Sequence, residues 1–273
     1  MFLPENIDFA NSEKYVMTIR LAGDGFAFTV HCPTDKNIFC YRETKFSNKL
    51  SYLENIQKII FDYNFFTQIF KKTVVIQVID RYTIIPDEYY EKKRVEQIYY
   101  FNTLQKEEKL IILDNAIKDI KSHILFEMSE DLHDFLMRNL LNPIFEIHVA
   151  DMIPFLSHYS KEETSKCCFV HFHNPLIDIF TYSDGKLLTA NTVRNENIHD
   201  AMYLIASSWE KMEFDQLKDK LFITGELSEH QTTIETLRRL IKNIEILNIN
   251  YYPIIPADDL EKIPADILLK LCE

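Results

Sequence analysis

Two histidines one residue apart, His171 and His173, open the stretch "FVHFHNPLIDIFTYSDGKLL" and come nearer to chemistry than anything else in the chain. Residues i and i+2 of a strand share a face, so two imidazoles at this spacing suit one metal ion. A zinc site wants a third ligand, and Asp178, His199 and His230 are the neighbours in sequence, none at a diagnostic spacing. The plainer expectation is that Val170 and Phe172 enter the core from one face, while the histidines line a cleft wall or meet solvent. Other motifs dissolve on inspection. Gly23-Asp24-Gly25 starts like GxGxxG but lacks the third glycine and falls in a hairpin. Ser208–Lys211 matches SxxK late in a helix, with no companion motif. Five cysteines without a CxxC spacing predict reduced, mostly buried thiols and a cytoplasmic protein.

The elements that must position these residues follow from periodicity. Residues 14–31 alternate as two strands around Ala22-Gly23-Asp24-Gly25, and "NIFCYRE" offers a third. "NKLSYLENIQKIIFDYNFF" carries Leu50, Leu53, Ile56, Ile60 and Phe61 at helical spacing. "TVVIQVI" then reads as a strand covered on both faces. The second half repeats this order: "CCFVHFH", "LIDIFTYS" and "KLLTANT" as strands, and "NIHDAMYLIASSWEKM" as an amphipathic helix that buries Trp209. "KLFITGEL" closes the unit as a strand. Between the repeats we expect a helix opened by Pro86, strands at "KLIILDNAI" and "SHILFEM", and a helix capped by Ser129. "IFEIHV" and "ADMIPFLSHY" follow as strand and helix. Ser228 is expected to cap a later helix leading to a strand near "EILNI", and each of two Pro-Ala-Asp repeats, 256–258 and 264–266, to start a short helix. The fold class is α/β, a duplicated ββ(β)αβ unit. The divisions are 1–88, an inserted α+β segment over 89–160, and 161–273 with a helical tail.

Composition narrows the function. With 47% hydrophobic residues the chain folds, and its length can bury a sizeable core. A formal charge of −12 disfavours nucleic acid, and the short Lys/Arg pairs sit beside acids. The first residues lack the pattern of a signal peptide, and no apolar run reaches the 18 or so residues a spanning helix needs, so direct membrane insertion is not expected.

Two tandem units with this connecting segment resemble the actin, sugar kinase and chaperone ATPase superfamily. Similarity is greatest to the actin-like proteins of type IV pilus and type II secretion assembly, and to a Bacteroidetes family built on a domain of unknown function. "LFEMSEDLHDFLMRNLLNPIFEIHVADMIPFL" resembles the connection those proteins use to enter their second lobe. The resemblance implies a ribonuclease H-like fold with two lobes. It places "IRLAGDGFAF", "FVHFHNPLIDIF" and "LFITGEL" at the two phosphate loops and the adenosine loop. Against that pattern, Arg20 stands near the family's Asp, and an arginine cannot hold Mg²⁺. Gly23, Asp24 and Gly25 keep a turn that a hairpin needs anyway. His173-Asn174-Pro175-Leu176 replaces a glycine-rich turn, and Pro175 removes a backbone donor. After Thr224 and Gly225, Glu226 stands where a second glycine would be. The expectation is a non-catalytic actin-like protein with no cofactor, a vestigial cleft and a protein partner, in the image of a membrane-associated assembly. The alternative is a divergent phosphotransferase or ATPase, or a metal-dependent hydrolase using His171 and His173.

Overall fold

The computed structural model describes residues 7–103, 109–195, 198–249 and 263–271. They form two compact units. The first holds the residues up to Ile117, Lys121–Ala150 and the C-terminal segment; the second holds Lys118–Ile120 and Asp151–Tyr251.

In the first unit, β1 (Val16–Leu21) and β2 (Gly25–Cys32) make the expected hairpin, and β3 (Asp35–Lys45) extends it. Helix α1 (Tyr52–Asp62) starts at a capping box: Ser51 Oγ accepts from the Glu54 N–H, and the Glu54 carboxylate accepts from the Ser51 N–H. Its periodic residues Ile56 and Ile60 are fully buried, whereas Phe61 stands on the exposed side, edge-on to Phe135. Strand β4 (Lys72–Gln77) returns parallel to β1 and is buried almost throughout, as its unbroken apolar run requires.

Next comes an inserted antiparallel sheet of β5 (Tyr82–Pro86), β6 (Leu110–Ile117) and β7 (Ser122–Ser129), ordered β5-β7-β6, with α2 (Val95–Thr103) against it. Pro86 caps only a short 3-10 turn, Asp87–Tyr89, and does not open the long helix expected there. It ends the edge strand β5 opposite Ser122, where a missing N–H is tolerated, and α2 begins only at Val95 after two short 3-10 turns. Helix α3 (Glu130–Asn139) has Ser129 at its N-cap, but the hydroxyl makes no capping bond. Glu130 and Asp131 supply the favourable charge there instead. Strand β8 (Ile144–Ile147) then pairs parallel to β4, completing the order β3-β2-β1-β4-β8. The outer edge of β8 meets the Asn115 side chain of β6, whose Nδ2 donates to the Phe145 carbonyl and whose Oδ1 accepts from the Ile147 N–H, both at 2.9 Å.

One face of this sheet packs on α1 and α3 through Met17, Ile19, Phe26, Phe28 and Val75. The other face receives the C-terminal helix, with Ile263, Ile267 and Leu271 on Ala27, Val74 and Ile76. The second Pro-Ala-Asp repeat starts that helix as expected, since Pro264 is its N-cap residue; the first lies outside the described residues.

The second unit repeats the plan. After α4 (Met152–Ser160) come β9 (Cys167–His173), β10 (Leu176–Ser183), β11 (Lys186–Arg194), α5 (Ile198–Lys211) and β12 (Lys220–Gly225). Helix α6 (Gln231–Leu240) leads into β13 (Asn243–Ile246). The sheet order is β11-β10-β9-β12-β13, matching the first strand for strand. Ser228 is not a helix cap: it opens a 3-10 turn, Ser228–His230, that runs directly into α6. Helices α5 and α6 cover one face through Ala201, Ile205, Trp209 and Leu237, packed on Val170, Phe172, Ile177 and Ile223. On the other face the Tyr182 hydroxyl of β10 donates to the Ile153 carbonyl of α4 at 2.8 Å. Among the described residues no helix is long and apolar enough to cross a membrane.

Candidate functional site

Within the second unit, the Asn174-Pro175 loop joins β9 to β10 with Leu176 opposite His173, which sets His171 opposite Asp178. Asp178 is fully buried and His171 and His173 nearly so, so neither histidine meets solvent. Both turn toward the carboxylate. His171 Nδ1 lies 3.1 Å from Asp178 Oδ2, and His173 Nε2 lies 2.8 Å from the same oxygen, without the angle of a hydrogen bond. Thr192 on β11 donates its hydroxyl to Asp178 Oδ1 at 2.6 Å. A buried carboxylate needs such partners, because its desolvation is otherwise prohibitive. With the carboxylate ionised, His171 Nδ1 carries the hydrogen that bridges them.

The two imidazoles stack, with 4.7 Å between ring centres and 14° between planes. Both nitrogens nevertheless meet one carboxylate oxygen, and the His171–Asp178 hydrogen bond occupies two of the groups that a zinc ion shared by these side chains would use. Of the other proposed ligands, His230 is drawn elsewhere and the His199 side chain lies outside what is described.

The loop beyond β9 is held by its own network. Asn174 Nδ2 donates to Glu229 Oε2 at 2.8 Å, and His230 Nε2 donates to Asn174 Oδ1 at 3.2 Å. The His230 ring stacks on Phe172 at 4.0 Å, and burial holds its pKa below the ordinary histidine value. The Asn174-Pro175 peptide is cis. Leu176 points inward, 5% exposed. Parallel pairing of β12 with β9 sets Thr224 beside His171 and Gly225 beside Phe172. Gly225 has φ +93°, and a Cβ there would lie 2.0 Å from the Phe172 carbonyl oxygen, so only glycine fits. That oxygen accepts the Glu226 N–H at 2.8 Å.

In the first unit, Arg20 ends up beside a residue that nothing in the sequence nominated. Its Nε donates to both oxygens of Asp266, at 3.0 and 2.7 Å, and the two side chains are 11% and 3% exposed. Gly23 and Asp24 bridge the β1–β2 hairpin, Ala22 N–H donating to the Gly25 carbonyl and Phe46 N–H to the Asp24 carbonyl. Thr192 and Asp266 escaped the sequence reading: the first is placed by strand register, and the second joins Arg20 across a separation of 246 residues.

The chain has relatives of known structure. A protein from Bacteroides thetaiotaomicron VPI-5482, with an actin-like ATPase fold and unknown function, superposes with a TM-score of 0.85 at 26% identity. The match covers 97% of this chain and 98% of that one. A chain of the PilM–PilN type IV pilus biogenesis complex has the same fold, with a TM-score of 0.58 at 9% identity over 94% of this chain and 96% of its own. No curated protein matches the sequence. The duplicated sheet order above is thus an actin-like ATPase fold. Residues 4–244 match the family described as protein of unknown function (DUF3822), and the chain belongs to that family.

Proposed function

We propose that the chain is a non-catalytic member of the actin-like fold that acts by binding another protein. The observation that carries this reading is the Arg20–Asp266 pair. At the position near the fold family's magnesium-holding aspartate, this chain has a cation, and its guanidinium is already committed to a buried internal carboxylate.

The other loops support the same reading. A phosphate loop offers backbone N–H groups to the ligand. Here Pro175 has none, the Glu226 N–H is bonded to the Phe172 carbonyl, and Asn174 is bridged between Glu229 and His230. Asp178, on the strand that follows the second loop, is enclosed by Thr192 and two imidazoles. ATP with Mg²⁺, which the fold family implies, does not fit these groups. A metal-dependent hydrolase using His171 and His173 would first have to break the buried His171–Asp178 hydrogen bond. That a chain of the PilM–PilN complex shares the fold supports a protein as partner. The free thiols of Cys32, Cys40, Cys167 and Cys168 support a cytoplasmic setting.

Isothermal titration of the whole protein with Mg·ATP tests the reading. We expect no saturable binding up to millimolar nucleotide; a micromolar dissociation constant overturns it.

A further inference from the structure

The C-terminal helix, α7 (Ala265–Lys270), lies on a row of the first unit's sheet that carries charge of both signs. Pairing puts Arg20 of β1 beside Ile76 of β4, and Ile76 beside Glu146 of β8. With strands about 4.7–4.9 Å apart, a cation and an anion are fixed in that row about 10 Å from each other. Helix α7 answers them in the same order. Asp266 takes Arg20, and Lys270, four residues on, takes Glu146. Ile263, Ile267 and Leu271, also spaced by four, fill the apolar ground around the row.

The same face also carries polar groups for which α7 shows no partner among the described residues. Thr18 and Thr29, paired across β1 and β2, share this face, and so does His31, two residues further along β2. Among the described residues, Thr18 Oγ1, Thr29 Oγ1 and His31 Nδ1 are buried without a hydrogen-bond partner. Unmet polar groups weaken a contact that apolar burial would otherwise strengthen. A six-residue helix also has no stability of its own, so it keeps its shape only while docked. Buried ion pairs add orientation more than strength.

We propose that this face of the sheet is a docking site for a short amphipathic helix of a partner protein, with α7 as its resident occupant. The incoming helix carries an acid and, four residues later, a base, with aliphatic residues every fourth position beside them. The proposal rests on the protein-binding reading above and names the surface that does the binding.

Fluorescence anisotropy tests it, using the full-length protein and a labelled peptide of residues 263–271, IPADILLKL. The resident helix competes at an effective concentration in the millimolar range, so the wild type should bind the probe weakly. Asp266→Asn in the protein loosens the resident helix and should tighten probe binding at least tenfold. Adding Glu146→Gln should abolish that gain, and a probe with its Asp and Lys exchanged should bind none of the proteins. Thermal melts check that each variant is folded, and Lys270→Met replaces Asp266→Asn should the latter unfold. Equal probe binding by wild type and loosened variant, or equal binding of the exchanged probe, overturns the proposal. Mg·ATP titration of the same samples separates the two ideas. Failure of the probe with nucleotide still unbound moves the partner to another surface, whereas nucleotide binding by the wild type overturns the protein-binding reading itself.

Discussion

His171 and Asp178 face each other across the β9–β10 hairpin, seven residues apart in sequence and 3.1 Å apart between Nδ1 and Oδ2. The carboxylate also holds His173 and Thr192, so one buried anion organises three strands. Asp178→Ala leaves the His171 N–H and the Thr192 hydroxyl buried without their shared acceptor and is expected to cost more than the about 1–3 kcal/mol of a single unmet polar group. Thr192→Val, which removes one hydroxyl donor, should cost about 1–3 kcal/mol. Urea unfolding curves measure both, and near-equal effects would contradict the central place given to the carboxylate.

Gly225→Ala puts a Cβ 2.0 Å from the Phe172 carbonyl oxygen at a φ of +93°. Backbone of β9 cannot yield as a flexible side chain would, so the loss should exceed the 1–3 kcal/mol or so of backbone strain alone. Gly185→Ala is the informative control. Its φ is +73°, but the nearest atoms belong to the long side chain of Lys161, which can swing away. A melting temperature lowered more by the first change than by the second is the expected result.

Burial, aided by the charge of Lys72, lowers the pKa of His31 from 6.5 to about 4. The unfolded chain protonates this imidazole readily and the folded chain does not, so unfolding takes up a proton in the window between those values. Stability therefore falls as pH drops from 6.5 to 4, by about 3 kcal/mol at most from this residue. In His31→Leu that part of the slope should vanish. Denaturant midpoints for both proteins across the window provide the comparison, and parallel profiles would refute it.

Thiol chemistry should separate the cysteines. Burial pushes Cys167 and Cys168 up to about 12, while a hydrogen bond with Thr34 holds Cys32 below the ordinary thiol value. The thiolate is the reactive form. Iodoacetamide followed by peptide mapping should modify Cys32 in the native protein well before Cys167 or Cys168, and all three at similar rates in urea. Early labelling of the adjacent pair would show that their strand opens.

The duplicated sheet was legible because its strands and helices carry different periods, and the two halves repeat them in one order. Asp178 was legible only as a possible metal ligand beside the histidines, and the two-residue Asn-Pro loop sets it opposite His171. Thr192 was not. Counting back from the Ser183–Lys186 pair that closes the β10–β11 turn leads to Asn191 opposite Asp178, and a bulge between Thr181 and Tyr182 shifts the pairing to Thr192. Pro86 misled because the residue that suits a helix's first turn also suits the end of an edge strand. Asp266 was out of reach, for its partner Arg20 is chosen by tertiary packing and not by any local rule.

The Asn115 side chain against β8 has a consequence for how this protein meets its own kind. Its amide presents one donor and one acceptor to Phe145 and Ile147, the pair of groups that an added strand would offer. A neighbouring molecule trying to continue the sheet at β8 finds the place taken by a counterfeit backbone. Growth by strand addition is stopped at that margin by a single amide.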